Sequence, residues 1–222
     1  MRTFEIKLNT NGTRLSENLC RSIFENNIDI IVLSIDSEIP DIFESIRYGA
    51  DFKKVLNNIK ILDCTLRDGG YYNQWNFSNS QVKNYLKAIN GSNIDVVEIG
   101  FRFFEKKKEY GKFAFLDDNY LNKLKISSKI QIAIMINSSD LLLKKFRNKD
   151  IFELIGPKKK SRVSIIRFAT HYTDVKKVTH YLKFVKELGY LTTINLMQAN
   201  LISEKKIIGI VKHLKHHRAV DV

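Results

Sequence analysis

The sequence predicts an α/β fold with a parallel, barrel-like sheet, and three observations predict it. Short apolar runs alternate with helix-length amphipathic segments along the chain. Residues 28–35, Ile-Asp-Ile-Ile-Val-Leu-Ser-Ile, are nearly continuous in apolar side chains, as strands buried on both faces are. The stretch Ile61-Leu62-Asp63-Cys64-Thr65-Leu66-Arg67-Asp68-Gly69-Gly70 runs a short apolar strand into a cation, an anion and paired glycines. Charges at a strand's C-terminal end stand where α/β sheets and barrels bind ligands. Glycines there let the backbone turn and a ligand come close.

The elements follow in order. Residues 4–8 alternate and read as a strand, ended by the turn Asn9-Thr10-Asn11-Gly12. Ser16 opens a helix to about Asn26. The strand at 28–35 ends on Asp36, and short helices follow at 39–48 and 52–59. A strand at 61–66 is broken by Gly69-Gly70, and 71–77 is a polar, aromatic loop. Ser78 caps a helix to about Ala88. Residues 94–99 form the next strand, 100–116 a charged loop, and Asp117 opens a helix. Strands at 130–136, 163–168 and 191–196 alternate with helices from Ser139 to about Arg147, from the Thr173 cap to about Leu188, and from the Ser203 cap to about His217. Gly189 is a helix stop. The count is about seven strands plus a stub at 220–222, one short of a closed eight-strand barrel, so the sheet reads as incomplete or small.

Composition excludes several classes. The 222 residues are 44% hydrophobic and 27% charged, ordinary globular values. Nothing approaches a membrane span or a signal-peptide apolar region. Cys20 and Cys64 stand far apart, which fits free thiols in a reducing cytoplasm. The net charge of +13 admits an anionic partner. The lysines are dispersed, however, and lack the aromatic interleaving that single-strand binding needs. No specific nucleic acid is expected, nor a membrane.

Asp63-Cys64-Thr65-Leu66-Arg67-Asp68-Gly69-Gly70-Tyr71-Tyr72-Asn73 resembles the first-strand signature of the DRE-TIM metallolyases. These include pyruvate-type aldolases, hydroxymethylglutaryl-CoA lyase and acyl-CoA carboxymethyltransferases. The likeness is strongest to 4-hydroxy-2-oxovalerate aldolase-like catalytic domains. It continues through Val97-Glu98-Ile99-Gly100-Phe101-Arg102, Gly111-Lys112-Phe113-Ala114 and Asn195-Leu196-Met197-Gln198. It implies that residues 61–222 are a TIM-barrel portion for making or breaking a carbon–carbon bond beside a small 2-oxo acid.

The resemblance also assigns roles, each with a plainer reading beside it. Asp68 would ligate Mg²⁺ or Mn²⁺, hard ions that want carboxylate oxygen, or would cap the glycine turn. Arg67 would hold the enolate through its rigid fork, or would pair with Asp68 or Glu98. Glu98 would be an active-site carboxylate, or a partner for Arg67 or Arg102. Tyr71 follows the glycines where some relatives carry a histidine, and a tyrosine base needs a strongly lowered pKa. Arg102, His171, Asn195 and Gln198 at strand ends would line the pocket, or serve as turn residues. The family's His-x-His, whose imidazoles share one face of a late strand, is absent from this sequence. His213 and His217 share a helix face instead. Two outcomes stay open: an active divalent-metal-dependent aldolase or acyl-CoA carboxymethyltransferase-like enzyme, to which a partner chain in a homo-oligomer could add ligands, or a catalytically incomplete fusion or truncation product that acts as a binding module or is inactive.

Residues 1–60 are similar to something else. Thr10-Asn11-Gly12-Thr13, Leu33-Ser34-Ile35-Asp36 and Ile46-Arg47-Tyr48-Gly49-Ala50-Asp51-Phe52, followed by Val55-Leu56-Asn57-Asn58-Ile59, resemble the middle of a radical S-adenosylmethionine core. The Cys-x3-Cys-x2-Cys loop that holds its cluster is missing, so no iron–sulfur cluster is expected. Asn11, Ser34, Asp36 and Arg47 read as relics of cofactor contacts or as turn and cap residues. No Pro/Gly/Ser linker marks the joint near residue 60.

Overall fold

The computed structural model describes residues 7–10, 30–33 and 61–221. The chain divides into two compact units, Met1–Lys60 and Ile61–Val222. In the first, strands β1 (Lys7–Thr10) and β2 (Ile30–Leu33) pair in parallel, with Lys7 beside Ile30 and Thr10 beside Leu33. The helices read at 16–26, 39–48 and 52–59, and the motif residues Asn11, Ser34, Asp36 and Arg47, lie outside the described residues.

The second unit is organised on a curled parallel sheet of five strands: β3 (Leu62–Asp63), β4 (Val96–Phe101), β5 (Gln131–Asn137), β6 (Val163–His171) and β7 (Leu191–Met197). They lie in sequential order and every neighbouring pair is parallel. Sequential parallel strands with helical crossovers are the (β/α)-barrel pattern, here an incomplete one. Among the described residues the seven strands form a pair and a five-stranded sheet, not the single sheet the alternation suggested. Residues 220–221 are not a strand. Instead Asp221 closes on the start of β7, its N–H donating to the Thr192 carbonyl and its carboxylate accepting the Thr192 N–H, both at 2.8 Å.

The helices are α1 (Thr65–Asn73), α2 (Asn79–Asn90), α3 (Asp118–Lys123), α4 (Ser138–Leu143), α5 (Asn148–Ile155), α6 (Val175–Glu187) and α7 (Glu204–His216). Local chemistry sets several ends. Ser78 accepts the Gln81 N–H while Gln81 Oε1 accepts the Ser78 N–H at 2.8 Å, a reciprocal capping box. Asp117 accepts the Tyr120 N–H at 2.7 Å and starts α3. The helix read at 139–147 ends early, because Lys145 turns left-handed at φ 50°. The helix α5 that follows was not evident in the sequence.

The larger departure is at 65–73. The strand is only two residues long, and Arg67, Asp68, Gly69 and Gly70 lie inside α1 rather than at a strand end and its turn. Glycine disfavours a helix by about 1 kcal/mol per residue. The offset comes from packing: a Cβ on Gly70 would lie 2.0 Å from the Trp75 ring, so the bare backbone admits the indole. That close approach serves the core, not a ligand. Gln74 and Trp75 then reverse the chain in left-handed conformations, φ 55° and 59°.

The two faces of the sheet differ. Val97, Ile99, Phe101, Ile132, Ile134, Ile136, Ile166 and Phe168 point into the main core beneath the helices. The alternate positions Val96, Ala133 and Ile165 form a small separate cluster on the concave face. Toward the strands' C-terminal ends that concave face becomes charged.

The segment after β4 folds back on it: Leu116 N–H donates to the Phe101 carbonyl and Phe103 N–H to the Ala114 carbonyl, both at 3.0 Å. Gly111 lets this loop reach α1's end, its N–H donating to the Gln74 carbonyl at 2.8 Å. A Cβ there would lie 2.0 Å from the Trp75 carbonyl oxygen, which is backbone and cannot rotate away. Gly111→Ala is expected to cost about 1–3 kcal/mol, read as a lowered urea midpoint; an unchanged midpoint would show the loop moves freely.

Candidate active site

The site starts from the end of β3. The Asp63 carboxylate accepts the Thr65 N–H at 3.1 Å and hydroxyl at 2.8 Å, which fixes the first turn of α1. It also accepts the Tyr85 hydroxyl at 2.5 Å. Burial, then this bond, pushes the Tyr85 pKa strongly upward, so the phenol stays protonated and donates. With α1 so anchored, Arg67 turns onto the concave face beside β4.

There Glu98 is fully buried, at 0% exposure. Arg67 Nε donates to its Oε1 at 2.5 Å, and Arg167 Nη1, from β6, donates to its Oε2 at 2.8 Å. Arg67 Nη1 also donates to Asp68 Oδ1, and the Cys64 thiol to Asp68 Oδ2 at 3.4 Å. Both ion pairs that the sequence offered for Arg67 are present together. Burial opposes the Arg67 charge, but Glu98 and then Asp68 outweigh it and raise its pKa. Burial, followed by the Asp68 bond, raises the Cys64 pKa and makes that thiol a poor nucleophile. The cluster holds two cations against two anions, but Asp68 is 56% exposed, so the buried part carries one excess positive charge.

The remaining candidates divide. Tyr71 lines a cavity of about 380 Å³ with Gln74, Trp75, Phe103, Tyr110 and Asn137, at the C-terminal ends of β4 and β5. Arg67, Asp68 and Glu98 are not among that cavity's lining residues. Desolvation raises the Tyr71 pKa, with Arg67 working the other way; the phenol is suited to donating a hydrogen bond and not to taking a proton. Arg102 leaves the site. It is 3% exposed, and it donates to the carbonyls of Leu116 at 2.6 Å and Ile155 at 3.2 Å and to Asp118 at 2.8 Å. His171 and Gln198 meet across the ends of β6 and β7, Nε2 to Oε1 at 2.6 Å, while Nδ1 pairs with Thr173 at 2.7 Å. Asn195 sits in register with Ala169, on the face that carries Arg167.

Arg167 is the residue that sequence reasoning missed. The available signal was a lone cation inside the apolar run Val-Ser-Ile-Ile-Arg-Phe, two positions from Ile165 and so on the same face.

A hard divalent ion needs several oxygen ligands. Around Asp68 the described residues add only the Cys64 thiol, and no group of three or more His, Cys, Asp or Glu among them is arranged to hold a metal. His213 and His217 approach to 4.5 Å between rings on α7, but His213 Nε2 is engaged by the Thr179 hydroxyl at 2.9 Å. The described residues therefore do not by themselves fit a Mg²⁺ or Mn²⁺ site.

Comparison with known proteins adds a relationship to this geometry. No family model matches. The 4-hydroxy-2-oxovalerate aldolase 6 of Rhodococcus jostii is 24% identical over 153 residues, covering 68% of this chain and 41% of that protein. The 4-hydroxy-2-oxovalerate aldolase of Pelotomaculum thermopropionicum is 25% identical over 164 residues, covering 72% and 46%. Over 68–72% of its length this chain is similar to 4-hydroxy-2-oxovalerate aldolases. A solved structure, described as the N-terminal domain of a "putative aldolase" from Bacteroides vulgatus, superposes with a TM-score of 0.56 and 28% identity, over 71% of this chain and 60% of that one. The chain spans less than half the length of the curated aldolases it matches. No helix among the described residues is long and apolar enough to cross a membrane.

Proposed function

We propose that residues 61–222 carry an aldolase-type site that makes or breaks a carbon–carbon bond next to a 2-oxo acid, in the cytoplasm. The observation that carries this reading is the pair of guanidiniums fixed on the two oxygens of one buried carboxylate, on the concave face of a barrel-type sheet. The aldolase relatives support it.

In cleavage of a 4-hydroxy-2-oxo acid, the 4-hydroxyl loses its proton and the C3–C4 bond breaks. An aldehyde leaves, and the electron pair passes to C3 as an enolate of the 2-oxo acid, which is protonated there to give pyruvate. Negative charge thus develops on the C2 oxygen. Arg67 Nη2, with no bonding partner among the described residues, is the donor for that oxygen, an oxyanion-type contact. Glu98 positions both arginines and does not react. Tyr71 donates at the cavity edge, where the aldehyde half would lie. Asp68 is the one carboxylate of the cluster open to a divalent ion, whose remaining ligands would come from beyond the described residues or from a partner copy.

The test is pyruvate release from 4-hydroxy-2-oxovalerate with Mn²⁺ present, followed by a coupled lactate dehydrogenase assay. Wild type should turn over, and Arg67→Ala should lose about 10²–10³ in kcat while keeping its circular dichroism. Pyruvate binding without release would assign a binding module instead. A wild-type chain that neither binds nor releases pyruvate would refute the reading.

A further inference from the structure

The concave face holds donors that the cluster does not use. Arg167 and Thr193 are direct neighbours across β6 and β7, and Ala169 and Asn195 are the next pair on the same face. Arg167 spends Nη1 on Glu98. Its Nε and Nη2 have no hydrogen-bond partner among the described residues. The Thr193 hydroxyl oxygen is buried and likewise has none. Buried hydroxyls almost always find a partner, because leaving one unmade forfeits its hydration without return. An unmet hydroxyl beside a half-used guanidinium is therefore an informative vacancy in the bonding. The excess positive charge of the Arg67–Glu98–Arg167 group lies in the same place, and the low polarity of a buried face strengthens its pull on an anion.

Arginine's Nε and Nη2 form one edge of the planar fork, spaced to meet both oxygens of a carboxylate. A hydroxyl at its side can donate to one of those oxygens as well. We propose that Arg167 and Thr193 form an anion subsite that holds the carboxylate of the 2-oxo acid, with Asn195 at its outer edge. This rests on the reading above and sharpens it: Arg67 faces the oxygen that becomes the enolate, and Arg167 with Thr193 faces the carboxylate that does not change. The subsite selects a free acid over its ester or amide, since only the acid returns the charge.

Ligand-observed NMR titration of the full chain tests this, with pyruvate and its uncharged methyl ester as probes. Wild type should bind pyruvate saturably and the ester at least tenfold more weakly. Thr193→Val keeps the shape and removes the hydroxyl. It should weaken pyruvate binding several-fold, leave the ester unchanged, and keep or raise the urea midpoint, a combination that a merely structural threonine would not give. Arg167→Lys retains charge without the fork and should lose most of the preference for the acid. If both variants bind pyruvate as wild type does, the subsite is overturned and the aldolase reading stands. If wild type binds neither probe, both fall.

Discussion

Replacing Glu98 by Gln should lower the free energy of unfolding by about 3–5 kcal/mol, the usual cost of removing one partner from a buried ion pair. Glu98 is 0% exposed and receives one guanidinium on each oxygen. The amide keeps the shape but cancels the charge, and its NH₂ faces a donor. Two guanidiniums then confront each other at low polarity with no anion between them. Urea unfolding followed by circular dichroism measures the loss. A loss near zero would mean that water already reaches the carboxylate. A companion variant separates charge from packing. Replacing Arg67, Glu98 and Arg167 together by Met, Leu and Met removes all three charges, so it should cost far less than Glu98→Gln alone. Such a result would show that these buried charges cost stability in the folded chain.

The second large effect is expected at Trp75. Trp75→Ala should cost about 3–5 kcal/mol, as deletions of large buried aromatics do. The indole is 3% exposed and packs edge-on against Tyr71 at 5.0 Å, Phe101 at 5.5 Å and Phe103 at 5.3 Å. Its N–H donates to the Arg67 carbonyl at 3.0 Å. Gly70 and Gly111 have no side chain where the Trp75 ring and carbonyl stand, so the surroundings cannot collapse into the space it leaves. The loss should reach the site as well, because the same ring fixes the turn of α1 from which Arg67 projects. Trp75→Phe fills part of the space but cannot make the bond, and should fall between. Equal stability of Ala and Phe variants would show that the ring is not filling a tight site. In both variants kcat should fall with stability if Arg67 drifts.

How much was legible beforehand depended on the range of the interaction. Ser78, Asp117 and Gly189 act within a few residues of themselves, so residue type and position revealed the two helix starts and the stop, and the structure added their partners Gln81 and Tyr120. The strands 130–136 and 163–168 were readable because strands buried in a parallel sheet are mostly apolar along their length. The Arg-Asp-Gly-Gly stretch misled for the opposite reason. Its local propensity is against a helix, and it is helical because an indole five residues beyond Gly70 requires a bare backbone there. Arg102 and Arg167 were indistinguishable as types. Contacts with residues 14 or more positions away sent one to main-chain carbonyls and Asp118 and the other to Glu98.

Residue pattern was enough for the parallel α/β character, the caps at Ser78 and Asp117 and the aldolase-like residues around Arg67 and Asp68, since periodicity, caps and motifs are properties of neighbouring residues. Only the tertiary structure decided that Arg67, Glu98 and Arg167 meet, and that Thr193 lies beside them. Those four come from one helix and three strands separated by up to 126 positions, and the register of a curled sheet, not any local preference, brings them to one face.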